Sequence, residues 1–151
     1  MPAQATNYFY TILAMGVVAL MITNAFGLHA SSLKAMSERR ELKEILVSVA
    51  AEVTELAALT EATNASAKVC LHMPLLIGDK SYWIRLASDA DDAWVEGAFG
   101  DPWTGQPDHR VELPWNVSVS GTYKGGYGTL ALNCTIQGSG LALTLGRWEG
   151  G

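Results

Sequence analysis

The first 33 residues of the chain contain no Asp, Glu, Lys or Arg, and Lys34 is the first charged residue. Within this stretch, residues 8–28 are apolar except for Thr11, Thr23 and Asn24. A helix of this length, rising about 1.5 Å per residue, covers the roughly 30 Å of a bilayer's hydrocarbon core. A surface helix of a globular protein would have a polar face, and this segment has none. The stretch therefore predicts a helix that lies in a membrane or in an equally apolar assembly.

A cleaved secretory signal is the alternative interpretation of the same stretch. Such a signal starts with basic residues, has a shorter apolar region and ends in a small-residue cleavage site. Here the start is neutral and the apolar run is long. We therefore favour a helix that is retained.

Residues 33–62 are expected to continue this helix, because no Pro or Gly occurs between Gly27 and Pro74. Charged residues lie on one side of the segment. On the other side, apolar residues recur at three- and four-residue steps, and they are Leu42, Ile45, Leu46, Val49, Val53, Leu56 and Leu59. This apolar stripe needs a partner. The partner is either the sheet of the same chain or the helices of neighbouring copies, and the sequence leaves both open.

After the helix, the sequence changes to short runs rich in β-branched and aromatic residues, separated by turn residues. Seven strands are predicted, at residues 67–72, 81–87, 93–98, 110–113, 117–122, 128–137 and 141–148. Strands at this spacing fit an antiparallel β-sandwich or a rolled sheet. The chain is therefore predicted to be an α+β protein with three parts: an apolar helix over residues 1–32, its amphipathic continuation over residues 33–63, and a β-rich domain over residues 64–151.

Three N-x-S/T sequons lie in the β-rich domain, at Asn64, Asn116 and Asn133. Because N-glycosylation occurs on exported domains, the sequons predict that this domain is extracellular and glycosylated. The two cysteines of the chain, Cys70 and Cys134, both fall on predicted strands. We expect them to form a disulfide in an oxidising compartment, with two buried free thiols as the alternative.

The distribution of basic residues points to the opposite side of the membrane. Lys34, Arg39, Arg40 and Lys43 follow the apolar run, and no basic residue precedes it. The positive-inside rule would then place the β-rich domain in the cytoplasm. We give more weight to the sequons and the cysteines, and we expect a cell-surface location.

The architecture resembles that of archaeal type IV pilin-like proteins, in which a long uncharged helix continues into an amphipathic one and is followed by a glycosylated β domain. The segment MPLLIGDKSYWIRL, residues 73–86, is also similar to a hairpin common in these surface proteins. Two features depart from the pilin pattern: residues 1–6 carry no basic leader residue, and Ala5 stands where bacterial pilins have Glu. Either Met1 opens a mature chain from which a leader has been removed, or the protein is not processed.

The resemblance implies a filament whose core is a bundle of amino-terminal helices. The same helix would then serve as a membrane anchor before assembly. Small residues such as Gly16 and Gly27 allow the close approach that helices need in lipid. The residues predicted to pack between copies are Gly16, Val17, Leu20, Ile22, Phe26, Leu42, Ile45, Leu46, Val49, Val53 and Leu56.

No motif in the sequence indicates an enzyme. The three histidines are isolated, the nucleophile and phosphate-binding motifs are absent, and the two cysteines lack metal-ligand spacing. Asp89, Asp91 and Asp92 suit a solvated turn better than a calcium loop, because they do not follow an EF-hand pattern. Neither a cofactor nor a metal is expected. A net charge of −5 and a pI near 5.1 argue against a nucleic-acid partner.

Five tryptophans are many for so small a β domain, and they are Trp83, Trp94, Trp103, Trp115 and Trp148. They serve either as core residues or as an adhesive face for a surface or glycan ligand. The leading functional hypothesis is a pilus-like filament subunit that polymerises through its amino-terminal helix for adhesion. The alternative is a membrane-anchored accessory or ligand-binding protein that does not polymerise.

Overall fold

The computed structural model describes residues 2–89, 92–102, 106–114, 117–138 and 140–148. It contains one helix, α1 (Pro2–Thr63), which is followed by β1 (Ala67–His72), β2 (Tyr82–Ser88), β3 (Ala93–Phe99), β4 (His109–Glu112), β5 (Ser118–Lys124), β6 (Thr129–Gln137) and β7 (Gly140–Arg147). The predicted α+β class is confirmed, and every predicted strand is present with ends that differ by at most two residues. The chain divides into two compact units, Met1–Arg39 and Arg40–Gly151.

Helix α1 ends where the sequence changes character. Its last residue is Thr63, and Asn64 adopts a left-handed conformation with φ of 51°. Asn is one of the few residues other than Gly that tolerate this conformation just after a helix. The turn directs the chain into β1.

The seven strands of the second unit form one sheet in the order β1-β6-β7-β5-β2-β3-β4. Neighbouring strands are antiparallel except β5 and β7, which are parallel. Strand β5 pairs with β7 over Ser118–Gly121 and with β2 over Thr122–Lys124. It therefore joins an antiparallel group of three strands, β1-β6-β7, to another, β2-β3-β4.

The change of partner along β5 takes place at Gly121, where φ is 119°. Residues with a β-carbon rarely adopt this conformation. A β-carbon at this position would also overlap the carbonyl oxygen of Leu145 on β7. A glycine is therefore required at the point where the two groups of strands meet.

The layer that covers one face of the sheet is the helix from Arg40 onward, in place of a second sheet. Leu46 lies against Gly97 of β3, where an added β-carbon would come within 3.0 Å of a Leu46 methyl carbon. The core of this unit combines helix and sheet side chains, including Leu42, Leu46, Val49, Val53, Leu56, Tyr82, Ile84, Val95, Val119, Leu132 and Leu143. The helix is therefore part of the folded unit formed by the sheet.

Tyr82 is a fully buried member of this core, and its hydroxyl donates a hydrogen bond of 2.7 Å to the carbonyl oxygen of Pro74. Burial raises the pKa of this hydroxyl well above its ordinary value, and the nearby Tyr123 and Glu41 act in the same direction. The hydroxyl therefore remains a neutral donor, and its hydrogen bond fastens the loop that follows β1 to β2.

Candidate functional site

The first candidate site is the apolar surface of α1, where every residue from Gln4 to Lys34 is exposed within the chain. Its large side chains include Tyr8, Phe9, Ile12, Met15, Leu20, Met21, Phe26 and Leu28, which are between 65% and 74% exposed. By length and composition, this part of α1 is suited to cross a membrane. The expected apolar helix is therefore present, and its length and composition are compatible with a membrane anchor.

Three hydroxyl groups within this surface are satisfied by the helix itself. Thr11 donates to the carbonyl oxygen of Asn7 at 2.8 Å, and Thr23 donates to that of Ala19 at the same distance. Ser31 donates to the carbonyl oxygen of Leu28 at 2.9 Å. Because each hydroxyl has a partner one turn back, none of the three requires water.

Two glycines interrupt this surface with open space. Apart from its chain neighbours and the backbone of its own helix turns, no heavy atom lies within 4 Å of the position that a β-carbon would take at Gly16 or at Gly27. Val17, Leu20, Ile22 and Phe26, which the sequence assigns to packing between copies, are also exposed. This part of the assembly surface is therefore available to a partner.

The remaining part of the predicted assembly surface is not available. Leu42, Leu46, Val49, Val53 and Leu56 are at most 3% exposed. They pack in the core of their own unit, together with the partly buried Ile45. Their assignment to packing between copies is wrong, because the chain's own sheet covers the apolar stripe.

The predicted disulfide is also wrong, since both cysteines are free. In the antiparallel pair of β1 and β6, Cys134 lies opposite Ala67 and Cys70 lies opposite Ala131. Side chains alternate between the faces of a strand, so the three-residue step from Ala67 to Cys70 places the cysteines on opposite faces. Cys134 is buried in the core, and Cys70 is exposed.

Two of the three predicted glycosylation sites lie on the described surface. Asn64 is exposed just after the end of α1, and Asn133 is exposed in the middle of β6. Asn116 lies outside the described residues. The positions of Asn64 and Asn133 leave room for a glycan.

A network of charged and aromatic side chains lies on the sheet face opposite the helix. Arg85, Glu96 and Arg110 are direct neighbours across β2, β3 and β4. The Nε of Arg85 donates to Oε1 of Glu96 at 2.6 Å, and the indole nitrogen of Trp94 donates to Oε2 at 3.0 Å. The guanidinium carbon of Arg110 lies 3.7 Å from the centre of the Trp94 ring. Glu96 is 5% exposed, so its hydrogen bonds compensate for the burial of its charge.

Sequence reasoning did not identify this network, although alternation along the strands could have placed its members on one face. Trp94 and Glu96 are two residues apart on β3, and Arg85 and Arg110 occupy the neighbouring strands. The network also changes the role of Trp94, because a guanidinium already covers one face of its ring. A ring covered in this way has less surface on which to stack a sugar.

The other tryptophans divide between core and surface. Trp83 is fully buried, whereas Trp148 is 39% exposed and carries the Lys68 ammonium 4.0 Å from its ring centre. Trp103 and Trp115 lie outside the described residues. The expected core role is confirmed for Trp83, and the adhesive role stays a prediction.

The expected turn at residues 89–92 is present at both of its ends, where the amide of Asp89 donates to the carbonyl oxygen of Asp92 at 2.8 Å. Asp91 lies outside the described residues. Within the described part of the chain, no group of three His, Cys, Asp or Glu side chains is placed to hold a metal ion.

A cavity of about 220 Å³ opens where β5 leaves β7. Its lining residues are Pro102, Thr122, Tyr123, Lys124, Tyr127 and Arg147. The guanidinium carbon of Arg147 lies 4.6 Å from the centre of the Tyr127 ring. The cavity therefore presents two cationic side chains and an aromatic ring, and it is the second candidate site.

Comparisons with known protein families, with curated proteins and with solved structures found nothing that matches this chain.

Proposed function

We propose that this protein is the subunit of a pilus-like surface filament, anchored in the membrane before assembly and polymerised through its amino-terminal helix. The observation that carries the proposal is the contrast along α1. The apolar stripe of the helix from Leu42 to Leu56 is buried by the chain's own sheet, whereas the apolar side chains of residues 4–33 are exposed. Only the second group needs a partner.

The exposed apolar surface of residues 4–33 would be costly in water. Burial of apolar surface is favourable by about 25 cal/mol per Å², and soluble monomers rarely expose apolar patches larger than a few hundred Å². Lipid can cover this surface, and so can the same surface of other copies. The resemblance to archaeal type IV pilin-like proteins supports a sequence of the two, first lipid and then neighbouring helices.

One feature of the helix favours assembly over a simple anchor. Gly16 and Gly27 leave open notches on its surface. Small residues at such positions allow helix backbones to approach closely where no hydrophobic effect drives association.

Replacement of Gly16 by leucine is expected to reduce the yield of surface filaments at least tenfold, while the protein stays in the membrane fraction. Leucine keeps the helix apolar enough for lipid, but it fills the notch needed for close packing. The measurement is quantitative immunoblotting of filaments sheared from cells, with electron microscopy. Val18→Leu is the matched control, since it adds bulk two residues further along the helix without filling a glycine notch, and it should leave the yield unchanged.

Filaments at the normal yield in the Gly16→Leu strain would contradict packing through this notch. If the unaltered protein is extracted by detergent and is absent from every sheared filament, the protein is a membrane-anchored accessory or ligand-binding protein. The burial of the Leu42–Leu56 stripe within the chain favours this second function, because it removes part of the surface first expected to join copies.

The proposed surface location can be tested through the exposed thiol of Cys70. A sulfonated maleimide that does not cross membranes should label Cys70 in intact cells, whereas Cys134 should react only after unfolding because it is fully buried. The measurement is mass spectrometry of the labelled peptides. A Cys70→Ser strain controls for specificity. Labelling that requires permeabilised cells would place the sheet on the cytoplasmic side, as the basic residues after the apolar run suggest.

A further inference from the structure

We infer that the cavity where β5 leaves β7, called here the fork cavity, binds a small carboxylate-bearing ligand of the size of one uronic acid. This goes beyond the proposed filament function, since it concerns a site within a single chain. The inference rests on the geometry of the fork, the charges that line it and its size.

The fork arises from the exchange of partners along β5. The last residue pair between β5 and β7 is Gly121 with Leu145. Beyond it, Thr122–Lys124 pair with β2, and β7 continues to Arg147 with β6 as its partner. The two strands therefore separate, and the cavity of about 220 Å³ occupies the gap between them.

The charges in the fork cavity have one sign. Lys124 and Arg147 line it, and none of its described lining residues is acidic. This is unusual in a chain that has 15 acidic and 10 basic residues. Neither Lys124 nor Arg147 has an ion-pair partner in the described part of the chain. The cavity is therefore a local positive site on an acidic protein, and it should attract an anion.

The contact between Arg147 and Tyr127 positions the positive charge without neutralising it. The guanidinium lies over the ring, with its carbon 4.6 Å from the ring centre. A contact of this kind limits the positions that the guanidinium can take and leaves its N–H groups free to donate. A guanidinium can donate two parallel hydrogen bonds to a carboxylate. Lys124 supplies a second positive charge, and the hydroxyl of Thr122 can donate or accept a hydrogen bond.

The size of the fork cavity limits the ligand to one small group. Sites for drug-sized ligands usually begin at about 300 Å³, and this cavity is smaller. Arg147 covers part of the Tyr127 ring, but Tyr127 is 52% exposed, so the rest of its apolar ring is open to the face of a sugar. A carboxylated monosaccharide combines an anionic group for Arg147 with an apolar ring face for Tyr127, whereas inorganic phosphate would use the cations alone.

The test is an isothermal titration calorimetry experiment on the full-length chain in a nonionic detergent at low salt. The probes are glucuronate, glucose as its neutral counterpart, and inorganic phosphate. We expect glucuronate to bind with a dissociation constant in the millimolar range, and glucose and phosphate to bind at least tenfold more weakly. Arg147→Gln should weaken glucuronate binding at least tenfold.

The matched control is Arg110→Gln, which removes an arginine stacked on a different aromatic ring outside the cavity, that of Trp94. It should leave glucuronate binding unchanged. Thermal unfolding of both variants establishes that the fold is retained, and Lys124→Gln is the substitute if Arg147→Gln does not fold.

Equal binding of glucuronate and glucose, or an Arg147→Gln variant with normal affinity, would overturn the inference. If phosphate binds more tightly than glucuronate, the group that the fork cavity recognises is not a carboxylate, and that part of the inference is overturned. The filament yield is measured separately, so the two proposals fail independently.

Discussion

Replacement of Leu46 by aspartate is expected to destabilise the sheet-containing unit by about 4 kcal/mol or more, because an unpaired charge would be buried in a core. Leu46 is fully buried and lies against Gly97 at the centre of the helix–sheet contact. Globular units have a total stability of about 5–15 kcal/mol. The substitution would therefore remove much of the stability of the unit, even though the residue lies in a helix that precedes all seven strands.

Val47→Asp is the matched control for this prediction. Val47 is the next residue of the same helix and is 48% exposed, and valine and aspartate have similar helix propensities. Its change in unfolding free energy should stay within about 0.5 kcal/mol. The measurement is urea unfolding of the full chain in detergent, monitored by tryptophan fluorescence, to which the buried Trp83 contributes. Similar losses in both variants would contradict the packing of this part of α1 on the sheet.

Gly121→Ala is expected to have the second large effect, because it combines two costs at the junction of the sheet. The backbone there has φ of 119°, which costs an L-residue about 1–3 kcal/mol. The new β-carbon would also overlap the carbonyl oxygen of Leu145, and relief of that overlap typically costs a further 1–3 kcal/mol or so. The loss should be concentrated in the pairing of β5 with β7.

The control for this prediction is Gly126→Ala, which carries only the first cost. Gly126 has φ of 102°, and no atom lies within 4 Å of a β-carbon added there. Unfolding free energies should show a smaller loss for Gly126→Ala than for Gly121→Ala. Amide hydrogen exchange should show early loss of protection in Ser118–Gly121 for the Gly121 variant alone. Equal losses would mean that the overlap with Leu145 is relieved without cost.

Local patterns in the sequence were sufficient to predict the elements of this fold. The uncharged apolar run, followed by apolar residues at three- and four-residue steps with no Pro or Gly, predicts one helix to about residue 62, and Asn64 marks its end. Alternating and β-branched runs predict the seven strands. These signals are local, because each depends on the residues within one helix turn or one strand.

The pairing of those elements could not be predicted in the same way. The parallel contact of β5 with β7 depends on which distant strand comes to lie beside Gly121. The predicted disulfide is wrong for the same reason. Both cysteines are on strands, but the register of β1 and β6 decides which face of the sheet each cysteine occupies. The stripe from Leu42 to Leu56 was correctly recognised as needing a partner, and only the tertiary structure shows that the partner is the chain's own sheet.

The two candidate sites also differ in whether the sequence alone predicts them. The exposed apolar helix is visible in the sequence because it is a continuous segment. The fork cavity was not visible, because Lys124 and Arg147 are brought together by strands that are not consecutive. The Arg85–Glu96–Arg110 row likewise requires the pairing of β2, β3 and β4.

The position of β7 between β6 and β5 in the sheet also determines when the protein can finish folding. Strands β2 to β5 can pair once residue 124 has emerged, but they join β1 and β6 only through β7, the last strand that the structure describes. Chains fold from the amino terminus as they emerge, at about 5–20 residues per second. The apolar helix is thus available for membrane insertion well before the sheet can close. Until β7 is available, the strands remain in two separate groups.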